Sequence, residues 1–347
     1  MGSFRAFISR NSLLETFLIF RVRRNFLYKP TVTFNVHRDR NLSSISPKMA
    51  EKAPHELMAD AEKTVKRNPH PDFKKVEASR PDWPQESEWH YTKTVSPSWS
   101  FGDGATDQSA KSRKHISIDP YEPGRPAVLN YKLLISAIVP RPIGFCSTVS
   151  KNGAQNLAPF SYFNVVNSDP PIFIFGFSGG FDRAKDTLRN LLDTGECCVN
   201  IISEHFIEAA NACSINAPHG VSEWALSGLT PAPCEAVKAP RVAEAVFSVE
   251  AKLRSTEEFE SKATPGLKTG VLAVIEGVRF WARDDAINDE RSLIDPKVLK
   301  PMSRAGGITY GRFIDGIEIP RPDWKKSNEG GKLEPLLNKD KDAQQRL

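Results

Sequence analysis

Apolar and polar positions alternate most clearly between Ile116 and Pro320, and the elements they predict there are mostly strands. The first runs from Pro142 to Val149 and stops at Lys151-Asn152-Gly153. Asn-Gly between two β-rich runs predicts a hairpin, because both residues accept positive φ. The return strand covers Asn156 to Val166, and Asp169-Pro170-Pro171 turns the chain into a third strand, Ile172 to Phe177. A short helix follows, with Asp182 as its cap, Leu188, Leu191 and Leu192 facing inward and Gly195 at its end. A strand from Cys197 to Ile202 leads to a second helix, capped by Ser203 and running through His205 to Ala212. Val246 to Leu253 and Val271 to Trp281 are later strands. Strands joined by hairpins, with helices inserted at the edges, predict a mainly β fold, an antiparallel barrel with additions. The βα alternation of a doubly wound sheet is absent.

The pattern divides the chain into zones. Residues 1–48 are rich in Arg, contain Ser and hold almost no acids, as a mitochondrial transit peptide does. Met49-Ala-Glu-Lys opens a new composition and is an alternative start, so mitochondrial and cytoplasmic locations are both expected. Residues 49–115 carry many Pro, Lys, Glu and Ser and cannot bury a core of their own. Trp83, Trp89 and Trp99 in this zone suggest an extended arm lying against the folded domain, 116–320. Residues 321–347 return to Lys, Asp, Asn and Gly and read as a disordered tail.

Composition narrows the function. The 347 residues are 39% hydrophobic and 26% charged, with 26 Pro and 21 Gly, which argues for many turns and against a helical bundle. The net charge of +5 arises in residues 1–48, which carry +7, so the remainder is slightly acidic and no nucleic-acid partner is expected. No apolar run approaches the roughly 20 residues that span a bilayer, so no membrane partner is expected either. Five cysteines, Cys146, Cys197, Cys198, Cys213 and Cys234, form no C-x-x-C pair and leave one over, which favours a reducing compartment over a disulfide scaffold. Adjacent strand residues face opposite ways, so Cys197 and Cys198 read as buried core residues rather than a redox pair.

Only His205 and His219 lie within 116–320, no zinc spacing occurs, and phosphate-loop, G-x-G-x-x-G and G-x-S-x-G motifs are missing. An enzyme with this inventory needs a bound cofactor. Pro159 within Asn156–Asn164 removes a ladder donor and places that strand at an edge or bulge. Backbone N–H groups beside Ala158, Phe160 and Ser161 are then expected to be free for a ligand. Phe160 and Tyr162 share one face as flat apolar area; Ser161 with Asn156 or Asn164 supplies polar contacts. The set suits a planar heteroaromatic ring. Lys185-Asp186-Thr187 opens a helix, where free N–H groups, a lysine charge and a threonine hydroxyl make a phosphate site. His219 lies on a loop that reaches a ring edge or is merely exposed, and Glu223-Trp224 is a lid or a packing pair.

Together these segments resemble the flavin reductase-like family from about Tyr131 to Tyr310. The marks are Pro-Arg-Pro-Ile-Gly-Phe at 140–145, Asn-Leu-Ala-Pro-Phe-Ser-Tyr-Phe-Asn at 156–164, Asp-Pro-Pro at 169–171 and Lys-Asp-Thr at 185–187. Thr-Gly-Glu at 194–196, Val-Asn at 199–200 and Ser-Arg-Ala-Gly-Gly-Ile-Thr-Tyr at 303–310 add to them. The resemblance implies an FMN-binding split β-barrel, with Ser147, Thr148, the strand 156–162, Lys185 and Thr187 holding FMN. It implies a homodimer with the flavin near the subunit interface, and the apolar runs 172–177 and 271–281 offer surface for it. It also implies electron transfer between NAD(P)H, a transient donor, and a small-molecule or flavin acceptor. An FMN electron carrier, an oxygenase component without nicotinamide activity, and a non-enzymatic flavin-binding module are the alternatives. The 49–115 arm and an insert at 254–270 depart from the family, and no role follows for Arg304 and Tyr310.

Overall fold

A computed structural model describes residues 69–85 and 87–344, so the Arg-rich segment 1–48, Met49 and the start of the arm lie outside the described residues. Seven antiparallel strands carry the fold: β1 (Gly144–Val149), β2 (Gln155–Phe160), β3 (Phe163–Ser168), β4 (Pro171–Ser178), β5 (Glu196–Ile201), β6 (Phe247–Glu260) and β7 (Lys268–Ala282). Their order is β2-β1-β5-β6-β7-β4-β3. The two end strands are consecutive in sequence, separated only by Ser161 and Tyr162, so the sheet curls until its ends meet. This is an antiparallel split barrel with helices inserted at its edges.

The strands form where β-branched and aromatic residues alternate, and three expectations change in detail. The β1–β2 turn closes through Ser150 N to Ala154 O (2.8 Å), and only Gly153, not Asn152, takes positive φ (86°). The return strand is broken at Ser161-Tyr162 instead of running unbroken to Val166. The supposed insert 254–270 continues β6 and β7 as one long hairpin, paired from Phe247–Ala282 to Glu260–Lys268.

Helix α1 (Ala127–Ala137) precedes the barrel, and α2 (Asp186–Thr194), α3 (Ile207–Ala212) and α4 (Glu223–Ser227) are inserted in it. Asp182 does not cap α2: it belongs to a separate turn, Phe181–Arg183, and Lys185 occupies the cap position. Gly195 ends α2 at φ 71°. Leu188 and Leu191 are buried, but Leu192 is 39% exposed. The inward face of α2 is completed by the polar pair Thr187 and Asn190, which displaces Leu192 to the surface.

Phe163, Phe175, Phe177, Leu188, Val199 and Ile275 fill the barrel, and Phe145, Leu157, Phe206, Trp224 and Val242 anchor a second cluster that includes residues of α3 and α4. All five cysteines are free and four are buried. A hydrogen bond with Cys197, together with burial, pushes the Cys146 thiol well above its ordinary pKa, which fits a core residue and not a nucleophile. Among the described residues no helix is long and apolar enough to cross a membrane.

The arm docks on the domain's last strand: His90–Thr92 pairs in parallel with Asp315–Ile317. Trp89 stacks on Phe313 (5.1 Å) and Trp83 lies under the Arg312 guanidinium (4.1 Å), whereas Trp99 donates locally to Gly104 O (2.8 Å). Residues 321–344, expected to be disordered, form helices at 324–327 and 334–344. Asp323 caps the first of these by accepting from Lys326 N, and Leu336 abuts Gly102 of the arm, so capping and one apolar contact order a polar segment.

Glu250, fully buried on β6, ties the 235–237 loop to the barrel. Its carboxylate accepts from the N–H groups of Glu235, Ala236 and Val237 and from the Trp281 indole. Burial pushes its pKa up, yet these four donors outweigh that and hold it below the usual carboxylate value. A depressed folded pKa contributes stability above the unfolded value, lost as pH falls through the folded one. Glu250→Gln is therefore expected to cost about 2 kcal/mol at pH 7 by urea unfolding, the gap narrowing below about pH 4. A gap unchanged down to pH 3 would contradict the account.

Candidate functional site

Where the two ends of the sheet meet, an open cleft of about 220 Å3 lies over the corner Pro159, Phe160, Ser161 and Tyr162. Gly176 on β4 permits the corner: a Cβ there would come within 3.0 Å of Tyr162, whose carbonyl accepts from Gly176 N (2.7 Å). The Phe160 ring turns into the core against Phe177 (4.9 Å) and Phe175 (5.7 Å), while Tyr162 stays half exposed. The break in the strand undoes the expected alternation, so these rings do not form one flat face.

The opposite wall is built on Arg141. Buried between α1 and β1, its guanidinium donates to Ile135 O (2.5 Å) and Ile138 O (3.0 Å), carbonyls at the end of α1, and to Ala305 O (3.0 Å). Its Nε faces Ser161 Oγ at 3.4 Å. Desolvation lowers its pKa, the Arg304 cation adds to the fall, and Tyr162 and Tyr131 oppose it. Backbone bonds join Arg141 to Arg304 in both directions (2.9 and 3.0 Å), and Arg304 lies over the Tyr310 ring (4.3 Å). Tyr310 donates to Asn211 Oδ1 (2.8 Å). Burial raises the pKa of both Tyr162 and Tyr310 and keeps the phenols neutral.

The remaining expected site residues are placed elsewhere. β2 is an edge strand, as Pro159 requires. Its outward N–H at Leu157 goes to Glu223 Oε2 (3.1 Å), and the next outward position is Pro159, which has none. Alternation turns the N–H groups of Ala158 and Phe160 toward β1, so of the three expected free donors only Ser161 lies past the last β2–β1 pair, Phe160 with Gly144. Ser147, Thr148, Asn156 and Thr187 are buried and bonded within the protein. Ser147 donates to Pro240 O, Asn190 donates to Thr148 Oγ1 (3.1 Å), and Thr187 Oγ1 donates to the Asn156 carboxamide (2.8 Å). Asn156 in turn donates to Glu223 (3.2 Å), whose carboxyl desolvation pushes up in pKa. These groups stitch α2 to β1 and β2. Lys185 and Asn164 are exposed and line no part of the cleft.

Asn156, Asp186, Asn190 and His219 line a second cavity of about 180 Å3. There His219 Nδ1 meets Asp186 Oδ1, and Gly220 N donates to Asp186 Oδ2 (3.0 Å). His219 thus secures the 217–221 loop to the start of α2. Sequence reasoning missed Arg141, Tyr131 and Asn190 as site builders. The signals were an arginine between two prolines at a strand entry and a polar residue three positions after Thr187 on a buried helix face.

Residues 136–297 match the family model described as flavin reductase like domain. A protein of Halalkalibacterium halodurans is 36% identical over 203 residues, 58% of this chain and 94% of the relative, and one of Aquifex aeolicus is 40% identical over 182 residues, 52% and 88%. Nitrilotriacetate monooxygenase component B from Bacillus cereus superposes with a TM-score of 0.56 at 33% identity, covering 60% of this chain and 100% of that structure. The 2-nitrobenzoate 2-nitroreductase NbaA of Pseudomonas fluorescens superposes at 0.53 with 26% identity, over 61% and 98%.

Arg141→Gln leaves buried carbonyls without donors and is expected to cost about 3 kcal/mol in urea unfolding, with Arg141→Lys recovering less than half because an ammonium cannot span the same acceptors. A near-neutral Arg141→Lys would show that charge alone, not the planar fork, organises the cleft.

Proposed function

Because the chain belongs to the flavin reductase-like family, we propose that it is an FMN-dependent oxidoreductase whose Pro159–Tyr162 corner holds the flavin ring. The observation that carries this reading is the break between β2 and β3, which opens a cleft of mixed aromatic and polar lining at Ser161 and Tyr162 in an otherwise closed barrel. The residues fit such a group: Tyr162 offers a half-exposed ring, Ser161 a hydroxyl and an N–H beyond the strand ladder, and Lys185 a cation at the open start of α2. FMN supplies hydride and electron transfer between NAD(P)H and a small-molecule or flavin acceptor. The chain's own part is to orient the ring at Ser161 and Tyr162 and to balance phosphate charge at Lys185. Ser147, Thr148, Asn156 and Thr187 act one step back, fixing the strand and helix that present these groups. Likeness to a monooxygenase component supports a second reading, an oxygenase component without nicotinamide activity.

We also propose a homodimer. Of the runs 172–177 and 271–281, Phe175, Phe177, Val271, Ala273 and Ile275 are buried in the barrel, while Val278 and Phe280 are 43% and 53% exposed. Beside the cleft, Val165 and Val166 on edge strand β3 are 58% and 54% exposed, and Leu134 and Ile138 at the end of α1 are 50% and 60% exposed. A second copy covering this patch would enclose the flavin and remove an open sheet edge.

The purified protein is expected to show a flavin absorption spectrum that NADH or NADPH bleaches anaerobically; a spectrum unchanged by both would favour the oxygenase-component reading. Lys185→Ala is expected to weaken FMN about 10-fold and riboflavin hardly at all, since a charge-assisted bond contributes about 1.5–3 kcal/mol. Equal losses for both ligands would place the phosphate elsewhere. Light scattering is expected to give a dimer for the full chain and a monomer for Val165→Glu. A wild-type monomer that retains FMN would refute the shared enclosure.

A further inference from the structure

We propose that the Arg304–Tyr310 wall of the cleft recognises the carboxylate of a small aromatic acid bound beside the flavin. This rests on the flavin reading above and adds a class of ligand. The cleft is small, about 220 Å3, so with a flavin ring over its Pro159–Tyr162 corner the Arg304–Tyr310 side has room for one substituted ring at most. Apart from the flavin's corner, Tyr131 and Tyr310 border it with aromatic surface, and Ser178 and Ser214 add hydroxyl groups.

Its charge is one-sided. Arg141 and Arg304 line it, and no carboxylate does, among the described residues. The two guanidiniums differ in what they have left to give. Arg141 donates three bonds to backbone carbonyls at 3.0 Å or less and is committed to the fold. Arg304 meets Gly307 O (3.1 Å) and, at a longer 3.4 Å, Ile308 O. Neither acceptor carries charge. A guanidinium has five N–H donors in a planar fork that matches a carboxylate, so Arg304 retains both charge and donors for a ligand. Stacking on Tyr310 holds its plane at the cleft, and the Tyr310 hydroxyl is anchored on Asn211. An aromatic acid placed here would set its ring among the tyrosines and its carboxylate on Arg304, next to the corner assigned to the flavin. A neutral ring of the same shape would leave the cation uncompensated.

The test is calorimetric titration of the full-length protein, flavin-loaded and flavin-free, with benzoate and with benzamide. Benzoate is expected to saturate the flavin-loaded protein, with benzamide about 10-fold weaker or worse. Arg304→Gln should weaken benzoate about 10-fold while leaving the FMN dissociation constant within about twofold, and Arg304→Lys, which keeps the charge without the fork, should fall between. Three results would overturn the inference: equal affinities for benzoate and benzamide, no effect of Arg304→Gln, or benzoate bound only by flavin-free protein and displaced by FMN. The last would show that the flavin fills the whole cleft, the Arg304 side included. A protein that takes benzoate through Arg304 but binds no flavin would instead refute the flavin reading and leave the aromatic-acid site standing.

Discussion

Arg141 has given up nearly all its water, and that burial is tolerable only because its donors reach carbonyls on two different segments. It closes the end of α1, receives the 304–305 strand and faces the hydroxyl at the barrel's corner. Removing the cation would leave the α1 carbonyls and Ala305 O without these donors, all around one cavity. The cleft is therefore a consequence of how one buried charge is satisfied. Its position at the meeting of the sheet's two ends follows because Arg141 enters β1 three residues before Gly144, which pairs with Phe160 at the end of β2.

The same economy governs the polar residues behind the cleft. Thr148 with Asn190, and Asn156 with Thr187 and Glu223, form a buried seam in which each side chain has a protein partner. Glu250 does likewise for the 235–237 loop. Low local dielectric makes such bonds stronger and makes an unpaired member expensive, so the seam fixes α2 rigidly on the barrel. Rigidity there bears on the proposed phosphate contact, since Lys185 stands at the N-cap of α2. A residue type suited to phosphate or to a flavin rim serves just as well as internal mortar. The residues left facing the cleft are those whose internal partners do not use them up.

Much of the barrel was legible. The strand runs, the Asn-Gly hairpin, the edge position imposed by Pro159 and the core role of Cys146, Cys197 and Cys198 all follow from local chemistry or from two-residue periodicity. The arm's docking was legible in part: Trp89 is partly covered against Phe313, as an indole in a polar linker suggests, while Trp83 packs on Arg312 yet stays 46% exposed. Boundaries were less so. The 254–270 stretch is charged and solvent-facing, yet cross-strand pairing keeps it in the β6–β7 hairpin, and residues 321–344 become helical through a cap and a contact with the arm that composition does not encode.

By itself the sequence determined which segments are extended, which residues lie on the barrel's inner face and which motifs carry the family likeness, because each depends on neighbours within a few positions. Only the tertiary structure decided how the candidate site divides. Asn156 and Thr187, Thr148 and Asn190, and Arg141 and Ala305 are 31, 42 and 164 positions apart, and their pairing is created by the sheet's closure. That closure consumes four expected ligand contacts as internal bonds and sends the N–H groups of Ala158 and Phe160 into the ladder. It also brings Arg304 and Tyr310 to a corner made by Ser161 and Tyr162. A side chain's availability depends on which distant group satisfies it first, and that competition is settled only when the whole barrel has closed.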